Sequence, residues 1–324
     1  MRAVTFDGHG GPEVLRVSEV PDPVPGPEEV LVDVVGSAMN RADLLQRMGL
    51  YSGPPMEIEI PGLEFAGVVA AVGGRVRGVS VGESVMGIVG GGAQAQRLIT
   101  HERLLLPVPT SVPLSDAAAI PEVFMTAWDA LIRQGGLTAG RWALVHAGAS
   151  GVGTAAIQLC AAFGAHIVVT TSPGKVTACR ELGADVVVDY SSDDFVAEVA
   201  DATSGRGVDV VLDVIGGDYA ARNLSALSMG GTIVQVGVMG GARSQIDLGQ
   251  VLMKRAVIRG TTLRSRPIEE KIAISREFAK QVLGHFDAGR LRPVIDSRYD
   301  LDRIADAHEH MAANANVGKI LLDV

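Results

Sequence analysis

Residues 142–153, WALVHAGASGVG, constrain this chain more than any other stretch. The apolar run Trp142-Ala-Leu-Val145 reads as a buried strand. It passes into the turn Gly148-Ala149-Ser150-Gly151-Val152-Gly153. The segment 154–163 that follows is rich in small apolar residues, reads as a helix and is closed by Gly164, a helix C-terminus signal. Strand, glycine turn and helix in this order suit the pyrophosphate of a dinucleotide. Glycine lets the backbone approach closely, and the N–H groups of a helix N-terminus point at the anion. Glycine spacing alone says little in a chain with 40 glycines. The flanking strands and helix make the signal specific. Gly148, Ser150, Gly151, Val152 and Gly153 are therefore expected to contact the dinucleotide, with Ser150 standing where the strict pattern has its second glycine.

The next strand, 167–171, ends at Ser172-Pro-Gly-Lys175. A site for NAD carries Asp or Glu about 20 residues after the glycines, where it binds the ribose 2′-hydroxyl. That place falls near Thr171 and Ser172, and no acid is there. Two hydroxyls and Lys175 suit a 2′-phosphate instead, so the expected cofactor is NADPH.

Composition narrows the class. The 324 residues, 47% hydrophobic and 20% charged, suffice for about two domains with a large buried core. A net charge of −9 argues against a nucleic-acid partner bound through its phosphates. Two cysteines, Cys160 and Cys179, imply no disulfide framework. No apolar run reaches membrane-spanning length, and charge and glycine follow the first strand too soon for a signal peptide. A soluble, cytoplasmic protein without a membrane partner is expected.

The pattern changes along the chain. Short strands at 2–6, 15–20, 29–37, 65–72 and 84–88, separated by Gly- and Pro-rich turns, form an antiparallel β signature. The segment 21–27, PDPVPGP, reads as a stiff loop between strands. Apolar strands near 142–147, 166–171, 185–189, 208–213, 232–237 and 256–261 then alternate with helical stretches, which means a parallel sheet covered on both faces. A helix over 268–286, another over 302–313 and a strand over 319–324 lack this alternation. They are expected to pack back onto the first domain. The His-Glu-His run at His308 and His310 reads as solvated surface.

Motifs spread over the whole length now carry a resemblance. They include Asn40-Arg-Ala-Asp43 with Tyr51, Pro61-Gly-Leu-Glu-Phe-Ala-Gly67, and Ile120-Pro-Glu-Val-Phe-Met-Thr-Ala-Trp128. His146 through Gly153, Leu182-Gly-Ala-Asp185, Gly230 through Gly237, Arg264-Ser-Arg266 and Gly318-Lys-Ile320 complete the series. The chain resembles the medium-chain dehydrogenase/reductases, within them the zinc-free, zeta-crystallin-like quinone oxidoreductases. The resemblance implies an α/β fold of two parts. One is a GroES-like, mainly-β catalytic domain over 1–120 and 262–324. The other is a Rossmann domain, a doubly wound parallel sheet binding NADP, over 121–261. It adds Thr126, Tyr190, Gly216, Gly237, Val238, Met239, Leu263 and Arg264 as cofactor contacts, with Lys319 closing over the cofactor. Val238 and Met239 suit core packing equally well. Relatives pair through the last strand of the parallel sheet, so a homodimer is expected.

Zinc-dependent members use a Cys and a Gly-His-Glu histidine on the catalytic metal. Here those places carry Asn40 and Leu63, and Gly90-Gly-Gly-Ala-Gln runs through the structural-zinc lobe without a cysteine. No metal is expected. The chemistry is then plain hydride transfer from NADPH to an electron-poor acceptor, and the acceptor oxygen needs donors and a proton. The resemblance to metal-free enoyl reductases points to Asn40 and Tyr51 as these groups, both also touching the cofactor. Tyr51 as a lid over the nicotinamide remains open. Three functions stay in view: an NADPH:quinone oxidoreductase, an NADPH-dependent enoyl or enone reductase, and a non-catalytic nucleotide-binding protein.

Overall fold

The computed structural model describes residues 1–51 and 53–324. Its strands in chain order are β1 (Arg2–Phe6), β2 (Leu15–Glu19), β3 (Glu29–Ala38), β4 (Glu64–Val72) and β5 (Ser84–Ile88). Next come β6 (Arg97–His101), β7 (Leu106–Pro107), β8 (Trp142–Val145), β9 (His166–Thr171) and β10 (Val186–Asp189). The last are β11 (Val208–Asp213), β12 (Leu227–Gln235), β13 (Val257–Gly260), β14 (Ile295–Asp300) and β15 (Lys319–Asp323). The chain divides into two compact units, Met1–Met125 with Leu263–Val324, and Thr126–Thr262. Among the described residues no helix is long and apolar enough to cross a membrane.

The first unit is built on a mainly antiparallel sheet in the order β14-β15-β3-β4-β5-β7, with β6 on β3. Strand β3 shows why. Val30, Val32 and Val34 are buried while Asp33 and Val35 are exposed, the two-residue period of a half-covered strand. The three valines pack with Phe65, Val69, Val85 and Leu98, and each fully buried valine stabilises by roughly 1.5–3 kcal/mol. The C-terminal tail returns here: β15 pairs antiparallel with β3. Ile320 and Leu322 then join Val4, Met39 and Leu44 in a second core. Strand β14 departs from the antiparallel pattern and lies parallel to β15.

The reading of His308 is corrected. On the helix Ile304–Ala312 it shares an inner face with Ile304, Ala307 and Met311 and is fully buried. Burial, with the Arg47 guanidinium beside it, pushes its pKa down to about 3, so the ring is neutral. His310 is half-buried, with the Tyr299 hydroxyl 2.9 Å from Nδ1 and Asp296 3.3 Å from Nε2.

The second unit is a parallel six-stranded sheet in the order β10-β9-β8-β11-β12-β13. Every residue of β11 is buried, as expected for a central strand covered on both faces. Leu144, Val168, Val211 and Ile233 from the sheet pack with Phe195, Val199 and Leu224 from the helices Phe195–Ala202 and Tyr219–Ala226. The strand order reverses between β8 and β11. In open parallel sheets ligands bind beyond the carboxyl ends of the strands at such a point.

Candidate active site

The carboxyl end of the parallel sheet gathers the sequence-predicted nucleotide residues of this unit. After β8, Ala147 takes a left-handed φ of 57° and turns the chain towards the helix Gly151–Phe163. A Cβ on Gly148 would lie 2.6 Å from the Val169 Cβ, and one on Gly153 would lie 2.4 Å from the Ala147 carbonyl oxygen. Neither contact is possible for a real side chain, so only glycine closes this turn. Ser150 is the helix N-cap, and its Oγ accepts the Gly153 N–H at 3.0 Å. Such a cap is worth about 1 kcal/mol, which explains serine where the strict pattern has glycine. The first-turn N–H groups of Gly151 and Val152 have no intrahelical carbonyl and suit an anion. The turn fits a pyrophosphate.

Below the turn lies a buried relay that the sequence reading missed. His146 Nδ1 is 3.0 Å from Thr170 Oγ1, and Nε2 is 2.7 Å from Asn223 Oδ1. Asn223 Nδ2 donates to Asp213 at 2.9 Å, and Asp213 accepts the N–H groups of Ile215 and Gly216. Burial lowers the His146 pKa, so the ring is neutral. Asn223 Oδ1 must accept, which makes Nε2 the donor and Nδ1 the acceptor. The relay ties the ends of β8, β9 and β11 to the loop at Gly216. Its only local signal was a histidine at the end of an apolar strand.

Thr171 on β9 is in register with Asp189 on β10, so Ser172 and Tyr190 leave neighbouring strands side by side. Lys175 closes a short 3-10 turn, Pro173–Lys175, on the same side. Asp189 is turned into its own loop, accepting from the Ser191 N–H and hydroxyl. Gly216 has φ 67° and bridges Gly241, while the Met239 N–H donates to the Val214 carbonyl at 3.1 Å. Val238 and Met239 are exposed, which favours the loop-contact reading over core packing. Gly237 begins this loop, and Thr126 is buried on the helix Pro121–Trp128.

In the first unit Asn40, Asp43, Glu64 and Lys319 form one buried polar hub. Asn40 caps the helix Arg41–Arg47, and its N–H donates to Asp43 Oδ2 at 2.7 Å. The Lys319 ammonium is only 3% exposed and pairs at 2.7 Å with Glu64 Oε1, itself 0% exposed. It also donates to the Met39 carbonyl at 2.6 Å and Asn40 Oδ1 at 2.8 Å. Asn40 Nδ2 donates to Glu64 Oε1 at 2.9 Å and the Ala38 carbonyl at 3.2 Å. Glu64 Oε2 accepts the Glu122 N–H at 2.8 Å. Burial pushes the Asp43 carboxyl up to about 6 against the pull of two backbone donors. Both Asn40 amide hydrogens are thus committed within the protein. The ammonium of Lys319, expected over a cofactor, is held inside this hub.

Tyr51 is half-buried, with the Arg264 guanidinium 4.9 Å from its ring centre. Arg264 itself is fixed by the carbonyls of Gly90 at 2.7 Å and Tyr51 at 3.2 Å and by Gln46 Oε1 at 2.9 Å. Burial, with the Glu122 carboxyl nearby, raises the Tyr51 phenol above its ordinary value. Leu263 is buried beside Arg264. The sequence reading named Asn40, Tyr51, Leu263, Arg264 and Lys319 but missed Glu64 and Glu122. The available signal was an acid set within each of two otherwise apolar motifs. Among the described residues no group of three or more His, Cys, Asp or Glu side chains is arranged to hold a metal ion.

A mainly antiparallel sheet and a six-stranded parallel sheet with a glycine turn at its carboxyl end have the architecture of the nicotinamide-dependent oxidoreductases. Family models agree. Residues 26–110 match the alcohol dehydrogenase GroES-like domain, and residues 151–280 match the zinc-binding dehydrogenase model. A quinone oxidoreductase of Lama guanicoe is 32% identical over 99% of this chain and 97% of that protein. The crystal structure of Escherichia coli quinone oxidoreductase complexed with NADPH matches with a TM-score of 0.90 at 27% identity, covering 100% of each chain. The JamJ enoyl reductase structure matches with a TM-score of 0.89 at 26% identity, covering 99% of this chain and 98% of that one. The chain belongs to the medium-chain dehydrogenase/reductase superfamily.

Proposed function

We propose that this protein is a zinc-independent, NADPH-dependent quinone oxidoreductase. The observation that carries this reading is the hub around Asn40. Where zinc-dependent relatives place metal ligands stand Leu63 and an asparagine whose amide is spent on Glu64, Lys319 and a backbone carbonyl. The glycine turn, Thr171, Ser172, Lys175 and Tyr190 would hold NADPH, which supplies the hydride when bound. The chain's own residues orient the acceptor and supply a held proton donor, which an enolate product needs and a reduced quinone, readily protonated by water, needs far less. Tyr51 offers its hydroxyl to the acceptor oxygen, and Asn40 keeps the start of the Arg41–Arg47 helix in place. The second reading, an enoyl or enone reductase, uses the same residues and is favoured by a Tyr51 phenol kept protonated by its surroundings. Cytoplasmic placement belongs to the same reading. NADPH oxidation across ortho-quinones, para-quinones and conjugated enones, before and after prolonged chelation, tests it. Turnover of no acceptor, or loss of turnover on chelation, overturns it.

Cofactor choice has its own test. Losing one charge-assisted phosphate contact costs about 1.5–3 kcal/mol, or roughly 10–100-fold in affinity. Lys175→Ala is expected to weaken NADPH by that factor and leave NADH almost untouched in a fluorescence titration. Equal losses for both cofactors refute the assignment.

A homodimer is part of the same proposal. Strand β13 ends the six-stranded order, and Val257 and Ile258 on it are exposed. Leu248, Leu252 and Met253 on the helix Leu248–Lys254 are each at least 73% exposed. An apolar edge with such neighbours invites pairing with a second copy. Light scattering at micromolar concentration is expected to return twice the chain mass, and a monomer mass contradicts the pairing.

A further inference from the structure

A small cavity lies wholly within the first unit, and two of its charged lining residues, Glu122 and Lys271, have no part in the chemistry described so far. Leu63, Val89 and Leu263 make apolar walls, and Glu122, Arg264 and Lys271 face into it. Arg264 is anchored by three acceptors and stacks on Tyr51. Among the described residues the Glu122 carboxyl accepts no hydrogen bond, while its backbone N–H donates to Glu64. An unanchored acid sharing a cavity with the guanidinium that holds Tyr51 is placed to exchange protons through water.

We propose that Glu122 is the proton reservoir of the site, returning a proton to Tyr51 after Tyr51 has given its own to the reduced acceptor. The inference rests on the reading of Tyr51 as proton donor. The proton balance closes. The Tyr51 O–H bond breaks and an O–H bond forms on the acceptor oxygen, leaving a phenolate beside Arg264. The Glu122 acid O–H then breaks and the phenol re-forms. The Glu122 carboxylate faces Arg264 and Lys271 until water in the cavity restores its proton.

The charges around Glu122 support this role. Burial is the largest influence and pushes its pKa up to about 8. Glu64 on β4 and Asp43 on the Arg41–Arg47 helix push the same way, against Lys319 on β15 and Arg264. Lys271, on the helix Ile268–Phe278, has its own pKa lowered by burial, with Glu122 pulling the other way. The protonated, donating form therefore prevails below pH 8 and is lost as pH rises through it.

The test combines pH profiles with a direct titration. Wild-type turnover on a conjugated enone is expected to fall above about pH 8. Glu122→Gln should lose that limb and run at least about tenfold slower at pH 7. Glu122→Asp should regain the limb, and Lys271→Met should move it to higher pH by removing a cation. Infrared difference spectra of the cofactor-free protein should show a protonated-acid carbonyl band that titrates near pH 8 and is absent in Glu122→Gln. A wild-type profile in a folded Glu122→Gln protein, or no such band, overturns the proposal. Tyr51→Phe run in parallel separates the two readings. If it is silent on every acceptor, the donor reading of Tyr51 fails and the relay with it. If it is impaired while Glu122→Gln keeps the wild-type profile, the relay alone fails.

Discussion

Tyr51→Phe is expected to lower turnover on a conjugated enone by roughly 10²–10⁴-fold, the usual contribution of a positioned general acid. Quinone turnover should change little. The difference lies in the product. A reduced quinone carries its charge on oxygens that water protonates readily, whereas an enolate gains far more from a donor held in place. The structure supplies two conditions for such a donor. Arg264, 4.9 Å from the ring centre and bonded to the Tyr51 carbonyl, fixes the residue. Burial raises the phenol's pKa, so it stays protonated throughout the neutral range. Steady-state rates on both acceptor classes decide the matter. Equal rates for wild type and Tyr51→Phe on every acceptor leave Tyr51 only a lid, with solvent as the proton source.

Lys319→Met is expected to cost about 3–5 kcal/mol of stability, because it leaves the buried Glu64 carboxylate unpaired. At 2.7 Å and an effective dielectric of about 20, the pair attracts with roughly 6 kcal/mol. Desolvating two ions offsets most of that. The intact pair is therefore close to break-even, and half a pair is not. The double change Lys319→Met with Glu64→Gln should be less damaging than Lys319→Met alone, since the introduced amide still offers an acceptor without the charge. Urea unfolding of both variants measures the difference. A single variant as stable as wild type would mean that the ammonium contributes nothing to the hub. Lys319→Met should also lower kcat, because Asn40 Oδ1 loses a partner 2.8 Å away.

The parallel unit was largely legible before any coordinates. Alternation of apolar strands with helices specified six parallel strands, and five begin within a residue of their expected places. Strand β12 begins earlier, at Leu227, because Leu227 pairs with Val208 across an irregular register that sequence periodicity does not carry. The glycine turn was readable because its constraint is local: Gly148 and Gly153 are excluded from any other identity by atoms a few residues or one strand away. Serine at position 150 looked like a lapse in the pattern and is a helix cap, a role visible only once the turn is closed. Val238 and Met239 were undecided because a hydrophobic side chain in a loop suits core and contact alike, and their exposure speaks against core packing.

The first unit was legible in outline only. Strands β1 to β5 followed from their alternation, but β14, its parallel pairing and the burial of His308 did not. A His-Glu-His run carries no mark of which helix face turns inward. Chain-local physics, the period of apolar residues and the backbone freedom of glycine, determined the antiparallel and parallel sheet pattern and the glycine turn, while Asn40 and Tyr51 were singled out only by the family resemblance of their motifs. Tertiary structure alone decided which charges meet. Lys319 and Glu64 come from strands far apart in the chain, and Glu122 shares a cavity with Arg264 and Lys271 from distant segments. Whether a carboxylate is paired, neutral or solvated depends on what surrounds it in space, and sequence spacing holds no record of that.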